Sequence, residues 1–107
     1  MQIGHTTADG SQTHTLTIPQ FGLGVFLMSE PGECKSSVLA ALKAGYTHID
    51  TASMYANEHE VGQAIKEAGV ERSSVFITTK LRRGHAVGYE DTLEHCKTSL
   101  ELLDTEY

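Results

Sequence analysis

An alternation of short apolar runs with longer amphipathic segments, repeated three times, limits most strongly how this chain can fold. The apolar runs cover residues 21–26, 48–52 and 75–79, and each has the length of one buried strand. A repeated β-α order predicts right-handed crossovers, and therefore a parallel sheet with helices packed outside it. The pattern predicts an α/β fold, and both an open doubly wound sheet and a piece of a (β/α)8 barrel are compatible with it.

Each apolar run is followed by a segment with helical spacing. The first segment has a helix start around Pro31 and ends at Gly45, a residue suited to a C-terminal cap. Asn57 is predicted to cap the second helix, with Glu60 three residues later completing a capping box. From Tyr89 onward, apolar residues recur at helical intervals for about four turns.

The first 20 residues have a different character from the rest of the chain. Residues 1–15 are polar, and the pair Asp9-Gly10 is a typical hairpin turn. We therefore predict an N-terminal β-hairpin over residues 1–20, with residues 14–18 as its second arm. Residues 21–107 then form three β-α units, so that the chain is a single partial domain.

Charge and cysteine content exclude several partners and compartments. Eight basic residues against fourteen acidic ones give a net charge of −6, which is the wrong sign for binding nucleic acid. Cys34 and Cys96 lie in no C-x-x-C motif, which favours a reduced, cytoplasmic protein. We find no signal peptide and no apolar run of membrane-spanning length, so we expect no membrane partner.

Two other kinds of site are disfavoured by spacing. Gly22 and Gly24 form part of a G-x-G pattern, but no third glycine and no helix start follow, which argues against a Rossmann fingerprint. The chain has six histidines, none of which is paired at the i, i+4 spacing of a helical metal site, so we predict no metal.

Three ionisable residues follow the predicted strands at the positions where α/β enzymes carry their catalytic groups. Asp50 and Tyr55 come after the second strand and Lys80 comes after the third. A phenol with a solution pKa near 10 donates a proton near neutrality only if its phenolate is stabilised, and an ammonium held by a carboxylate can do this. Taken singly, the three residues are better explained as a loop cap, a packed ring and a solvated lysine. Their occurrence together at strand ends strengthens the catalytic interpretation.

Four motifs carry a resemblance to a known family. They are FGLGVF at 21–26, AGYTHIDTA at 44–52, MYANEHEVG at 54–62 and FITTKL at 76–81. In sequence, order and spacing these motifs strongly resemble those of the aldo-keto reductases. Residues 88–93 and 99–103 are also similar to the third barrel helix of that family.

The resemblance implies a (β/α)8 barrel that reduces aldehydes or ketones with NADPH and without a metal. Tyr55 would be the proton donor, and Lys80 and Asp50 would lower its pKa. The nicotinamide end of the cofactor would lie beside Gly24, Val25 and Asp50. Phe26, where the family often has a tryptophan, and Met54 would line the pocket of a small carbonyl substrate.

The chain departs from the family pattern in two places. Arg82 stands where many members have an aromatic residue, which indicates a negatively charged substrate or, as we favour, a surface arginine. In the family, the catalytic histidine and most cofactor-binding residues follow the position of Tyr107. We therefore interpret the chain as the N-terminal portion of a reductase that is monomeric when complete. The alternative is a short, non-catalytic binding or interaction module.

The portion seen here would lack most of a barrel. We expect the 107 residues alone to be inactive, and to aggregate, unfold partly or self-associate, because strand edges and inward apolar side chains would stay uncovered.

Overall fold

A computed structural model describes residues 2–6, 12–82, 84 and 88–107 of the chain. Five strands and three helices follow one another in an order that matches the predicted hairpin and three β-α units. They are β1 (Gln2–Thr6), β2 (Gln12–Thr17), β3 (Leu23–Gly24), α1 (Glu33–Lys43), β4 (His48–Asp50), α2 (Glu58–Ala68), β5 (Phe76–Thr78) and α3 (Gly88–Leu103). Two short 3-10 turns, Ser53–Tyr55 and Arg72–Ser74, precede α2 and β5.

The N-terminal segment forms the predicted hairpin. β1 and β2 pair antiparallel, from Gln2 opposite Thr17 to Thr6 opposite Gln12, with an irregularity in register before Thr6. The second arm is therefore longer than predicted at its start. The predicted turn at residues 9–10 lies outside the described residues.

The other three strands form a parallel sheet in the order β3, β4, β5. Each is shorter than its apolar run. The chain leaves β3 early because a tight turn follows it, in which the Met28 amide donates to the Val25 carbonyl (3.2 Å). Between the other two strands the pairing continues past the regular ladder, through a hydrogen bond from the Ser53 amide to the Lys80 carbonyl (3.0 Å).

The two faces of this sheet differ in chemistry. Paired residues on parallel strands share a face, and the row formed by Leu23, Ile49 and Ile77 packs toward the helices. The opposite row consists of Gly24, Asp50 and Thr78. The buried core thus lies between the sheet and the helices. It is built from Val25, Cys34, Val38, Leu42, Ile49, Val61, Ala64, Ile65, Val75 and Leu103.

The ends of α1 and α2 correct two details of the sequence prediction. α1 begins at Glu33, after Gly32 at φ 81°, rather than around Pro31. It ends at Lys43 with Ala44 as the C-cap, and the predicted cap Gly45 follows one residue later with φ 99°. Asn57 precedes α2 as predicted, but its side chain makes no capping bond. Glu60 does not complete a capping box either, because its carboxylate accepts from the Lys35 amide (3.0 Å) and joins α2 to α1.

α3 is buried only near its C-terminal end. Ser99 and Leu103 are buried, whereas Tyr89 and Leu93, both part of the predicted apolar stripe, are exposed. Within the described ranges, no helix has the length and apolar character needed to cross a membrane.

Candidate active site

The carboxyl ends of β4 and β5 bring a carboxylate and an ammonium together. Asp50 is the last residue of β4, Lys80 follows β5, and the lysine Nζ donates to Asp50 Oδ1 in an ion pair. The hydrogen bond that Lys80 donates to Asp50 is the main cause that raises the pKa of Lys80, with smaller contributions from the Asp50 charge and from Tyr55. Partial desolvation acts in the opposite direction. Lys80 is therefore an ammonium throughout the neutral range.

Tyr55 lies beside this ion pair. It ends the 3-10 turn between β4 and α2, and Lys80 Nζ is 5.5 Å from the centroid of its ring. The turn is fixed at both ends, by the Ser53 bond to the Lys80 carbonyl and by Ala56, which takes a left-handed backbone conformation with φ 57°. The structure thus brings together the three residues that the sequence singled out.

Of the two predicted pocket residues, Phe26 packs against Tyr55, and Met54 precedes Tyr55 in the 3-10 turn. The ring of Phe26 is 5.1 Å from that of Tyr55, tilted by 48°. Phe26 and Met54 are each 58% exposed, although both are large apolar residues. Arg82 is also exposed, as expected of a surface arginine. Phe26 and Met54 give the surface beside Tyr55 an apolar character suited to contact with a ligand.

Gly24 leaves open space beside Asp50 on the face of the sheet that carries Asp50 and Thr78. A Cβ placed on Gly24 would meet no atom within 4 Å, and Gly24 is paired with Asp50 in the sheet. The Val25 side chain is fully buried in the core, and its amide donates to the Asp50 carbonyl (3.1 Å). A flat group could approach Gly24 and Asp50, whereas Val25 could offer only its backbone.

His48 makes contacts that stabilise the fold. Its Nδ1 hydrogen-bonds the Pro19 carbonyl (3.2 Å) and its Nε2 hydrogen-bonds Thr78 Oγ1 (2.8 Å). Since a carbonyl only accepts, Nδ1 carries a proton and donates it to Pro19. Phe76 packs edge-on against the ring at 5.1 Å. Among the residues described by the structure, no group of three or more potential ligands could hold a metal ion.

Two buried polar residues behind Tyr55 were not recognised from the sequence as parts of the site. Asn57 donates through Nδ2 to the Val25 and Met28 carbonyls (3.0 and 3.3 Å) and accepts from Thr51 Oγ1 (2.8 Å).

Glu58 is likewise buried, and its Oε2 accepts from Thr79 Oγ1 (2.7 Å), in the residue before Lys80. The only signal in the sequence is that this Asn-Glu pair closely follows Tyr55.

Neither cysteine belongs to the site as a reactive group. Cys34 is fully buried, and burial, reinforced by Glu60 and Glu33, raises its pKa to about 11. Its thiol faces the Asn57 carbonyl at 4.0 Å. Cys96 is exposed on α3, and neither residue forms a disulfide.

Comparison with known proteins identifies the same family that the motifs resemble. The family model described as "Aldo/keto reductase family" matches residues 23–107. A glyoxal reductase from Bacillus subtilis is 49% identical over 90 residues, which are 84% of this chain and 32% of that protein.

Solved structures of the family share the fold. An aldo-keto reductase from a Medee basin deep-sea metagenome library matches with a TM-score of 0.82 and 47% identity, covering 86% of this chain and 33% of that one. A Bombyx mori aldo-keto reductase, described as a complex with NADP, matches with a TM-score of 0.75 and 32% identity, covering 97% and 35%.

These matches establish the architecture. The predicted fold class, an α/β N-terminal portion of a (β/α)8 barrel with three β-α units, is confirmed. The chain spans about a third of the length of the curated relatives that it matches.

Proposed function

The chain belongs to the aldo/keto reductase family, and from this premise we propose that its site serves the NADPH-dependent reduction of aldehydes and ketones to alcohols. One observation carries the proposal. An ammonium, held by a carboxylate, lies 5.5 Å from the ring of a tyrosine at the carboxyl ends of two parallel strands. This is the end of the strands at which barrel enzymes place their chemistry.

In the proposed reaction, Tyr55 is the general acid. When bound, NADPH supplies a hydride to the carbonyl carbon, and the C=O π electrons move onto the oxygen. Tyr55 gives its phenolic proton to that oxygen, so that a C–OH group forms and the negative charge passes to the tyrosine oxygen. Lys80 stabilises this charge, and Asp50 holds Lys80 in place through the ion pair.

The residues present suit the proposed cofactor. The open space at Gly24, next to Asp50, admits a flat ring close to the sheet. A side chain at position 24 would occupy that space. Gly24, Asp50 and the backbone of Val25 are therefore proposed to hold the nicotinamide end. The Bombyx mori relative described as a complex with NADP supports the choice of NADPH.

We propose a small carbonyl compound with an apolar portion as the substrate. Phe26 and Met54 would contact that portion, because both expose most of their apolar surface beside Tyr55. The glyoxal reductase among the relatives is named for a substrate of the carbonyl class. The unpaired cysteines support a reducing compartment such as the cytoplasm.

A label-transfer assay on the complete protein tests the proposal. The protein is incubated with a panel of aldehydes that includes glyoxal and with NADPH deuterated at the position of the transferred hydride. A second set of reactions uses NADH deuterated at the same position. The product alcohol is expected to carry one deuterium on the former carbonyl carbon. Absence of labelled alcohol across the panel with both cofactors would contradict the proposed function.

A further inference from the structure

We propose that Asn57 is a positioning residue that fixes the geometry between Phe26 and Tyr55. The side chain of Asn57 is only 2% exposed, and its amide is hydrogen-bonded at both its oxygen and its nitrogen. It lies two residues after Tyr55 and contacts the turn that carries Phe26. One buried amide therefore joins the two sides of the site.

The turn formed by residues 25–28, here turn 25–28, adopts a conformation that its sequence does not favour. The Met28 amide donates to the Val25 carbonyl (3.2 Å), and Leu27 has φ 68° between them. This backbone region is uncommon for residues other than glycine and asparagine. The Leu27 side chain is largely exposed, so its own packing does not hold it there. Such conformations persist where surrounding contacts impose them.

Asn57 supplies those contacts. Its Nδ2 donates to the carbonyls at both ends of turn 25–28, at 3.0 Å to Val25 and 3.3 Å to Met28. Its Oδ1 accepts from Thr51 Oγ1 at 2.8 Å, which anchors the amide to the end of β4. Because the group is buried, water does not replace these bonds when they are lost.

The consequence falls on Phe26, the second residue of the turn. Its ring lies 5.1 Å from that of Tyr55 and is largely exposed on its other side, so the turn determines where it stands. The effect of Asn57 on catalysis rests on the proposed function, whereas its effect on the turn does not.

The substitution Asn57→Asp removes the two donor bonds and, when ionised, places a carboxylate oxygen opposite the two carbonyls that they served. Aspartate keeps the volume, the acceptor for Thr51 and a favourable residue at the start of α2, but it loses the amide donor. Ring-proton NOEs between Phe26 and Tyr55, measured in the complete protein, should fall at least twofold. For an aldehyde that the complete protein reduces, KM should rise about tenfold with a smaller change in kcat, since a pocket wall moves and the acid remains.

Two further variants separate positioning from general loss of stability. Val38→Ala opens the buried core without removing a hydrogen bond of Asn57, and it should leave the NOEs and KM unchanged. Leu27→Gly removes the need for external support, because glycine accepts positive φ, and should restore the NOEs in the Asn57→Asp background.

Retention of the NOEs in Asn57→Asp, or an equal loss in Val38→Ala, would overturn the inference. Failure of the proposed function can be distinguished from failure of this inference. If only the proposed function were wrong, the unsubstituted protein would not reduce aldehydes, but the NOE changes in Asn57→Asp would still occur.

Discussion

At the scale of single residues, the site depends on the charge balance around one phenol. Asp50 and Lys80 are each about half exposed, at 41% and 47% of their side-chain surface, so their ion pair contributes little to folding stability. Its main effect is local, because it holds a positive charge beside Tyr55. The ion pair is thus better explained by the reaction than by the fold.

Replacing Lys80 by methionine should reduce kcat for carbonyl reduction about 100-fold, because the charge left on the Tyr55 oxygen would lack its partner. The matched control is Lys66→Met, which removes an exposed ion pair with Asp104 away from the site and should leave kcat unchanged. Steady-state kinetics of the complete protein check both. An equal effect of the two variants would contradict the role given to Lys80.

The pH dependence follows from the raised pKa of Lys80. A lysine pKa raised on folding stabilises the protein fully below the unfolded value of about 10.4, and this contribution is lost as pH rises through the folded pKa. The difference in unfolding free energy between wild type and Lys80→Met should therefore be constant from pH 7 to 9 and shrink at higher pH. Urea titrations measure this difference in unfolding free energy. If the difference changed between pH 7 and 9, the pH dependence would arise from a group other than Lys80.

Sequence reasoning found the charged residues of the site and missed the buried ones. Asp50, Tyr55 and Lys80 could be predicted to meet because the ends of adjacent parallel strands share one edge of a sheet. Asn57 looked like a helix cap, since a cap is a local pattern. One of its actual partners, Val25, is 32 residues away in sequence and becomes a neighbour only in the folded chain.

At the scale of elements, a glycine allows two helices to approach each other closely. Gly62 of α2 is buried against the end of α3, and a Cβ there would lie 2.4 Å from the Leu103 carbonyl oxygen. The atoms that such a Cβ would meet belong to the backbone of Leu103, which cannot move aside as a side chain can. α2 and α3 would therefore have to separate. The glycine in the interior of α2 is thus explained by packing, against its poor helix propensity.

Gly62→Ala should lower the free energy of unfolding by about 1–3 kcal/mol, as other overpacked sites do. On helix propensity alone the same change would stabilise α2 by up to about 1 kcal/mol, so the sign distinguishes packing from propensity. Gln63→Ala, at the exposed neighbouring position, is the control and should be nearly neutral. Urea denaturation measures both, and a stabilised Gly62→Ala would refute the close contact.

The order and type of the elements were predictable, and their boundaries were less so. The apolar runs identified all three parallel strands because β-branched and aromatic residues are concentrated there. β3 proved shorter because turn 25–28 is held by hydrogen bonds that a local pattern does not contain. The division into a hairpin at 1–20 and β-α units at 21–107 stays a prediction.

At the scale of the whole molecule, the sheet separates structure from chemistry. One face buries Ile49 against the helices, and the other carries Gly24, Asp50 and Thr78 in a single row. The two sides meet at Tyr55, which packs against the buried core.

Tyr55 is proposed to donate the proton to the carbonyl oxygen. Single-turnover reduction of an aldehyde by the Tyr55→Phe variant tests this role. The substitution removes one hydroxyl and keeps the ring that packs on Phe26. Tyr89→Phe, on the exposed surface of α3, is the matched control. We predict a loss of at least about 100-fold in the rate of reduction, with NADPH binding by fluorescence titration unchanged and the control at the wild-type rate. A Tyr55→Phe protein that reduced the aldehyde at the wild-type rate would contradict the assignment.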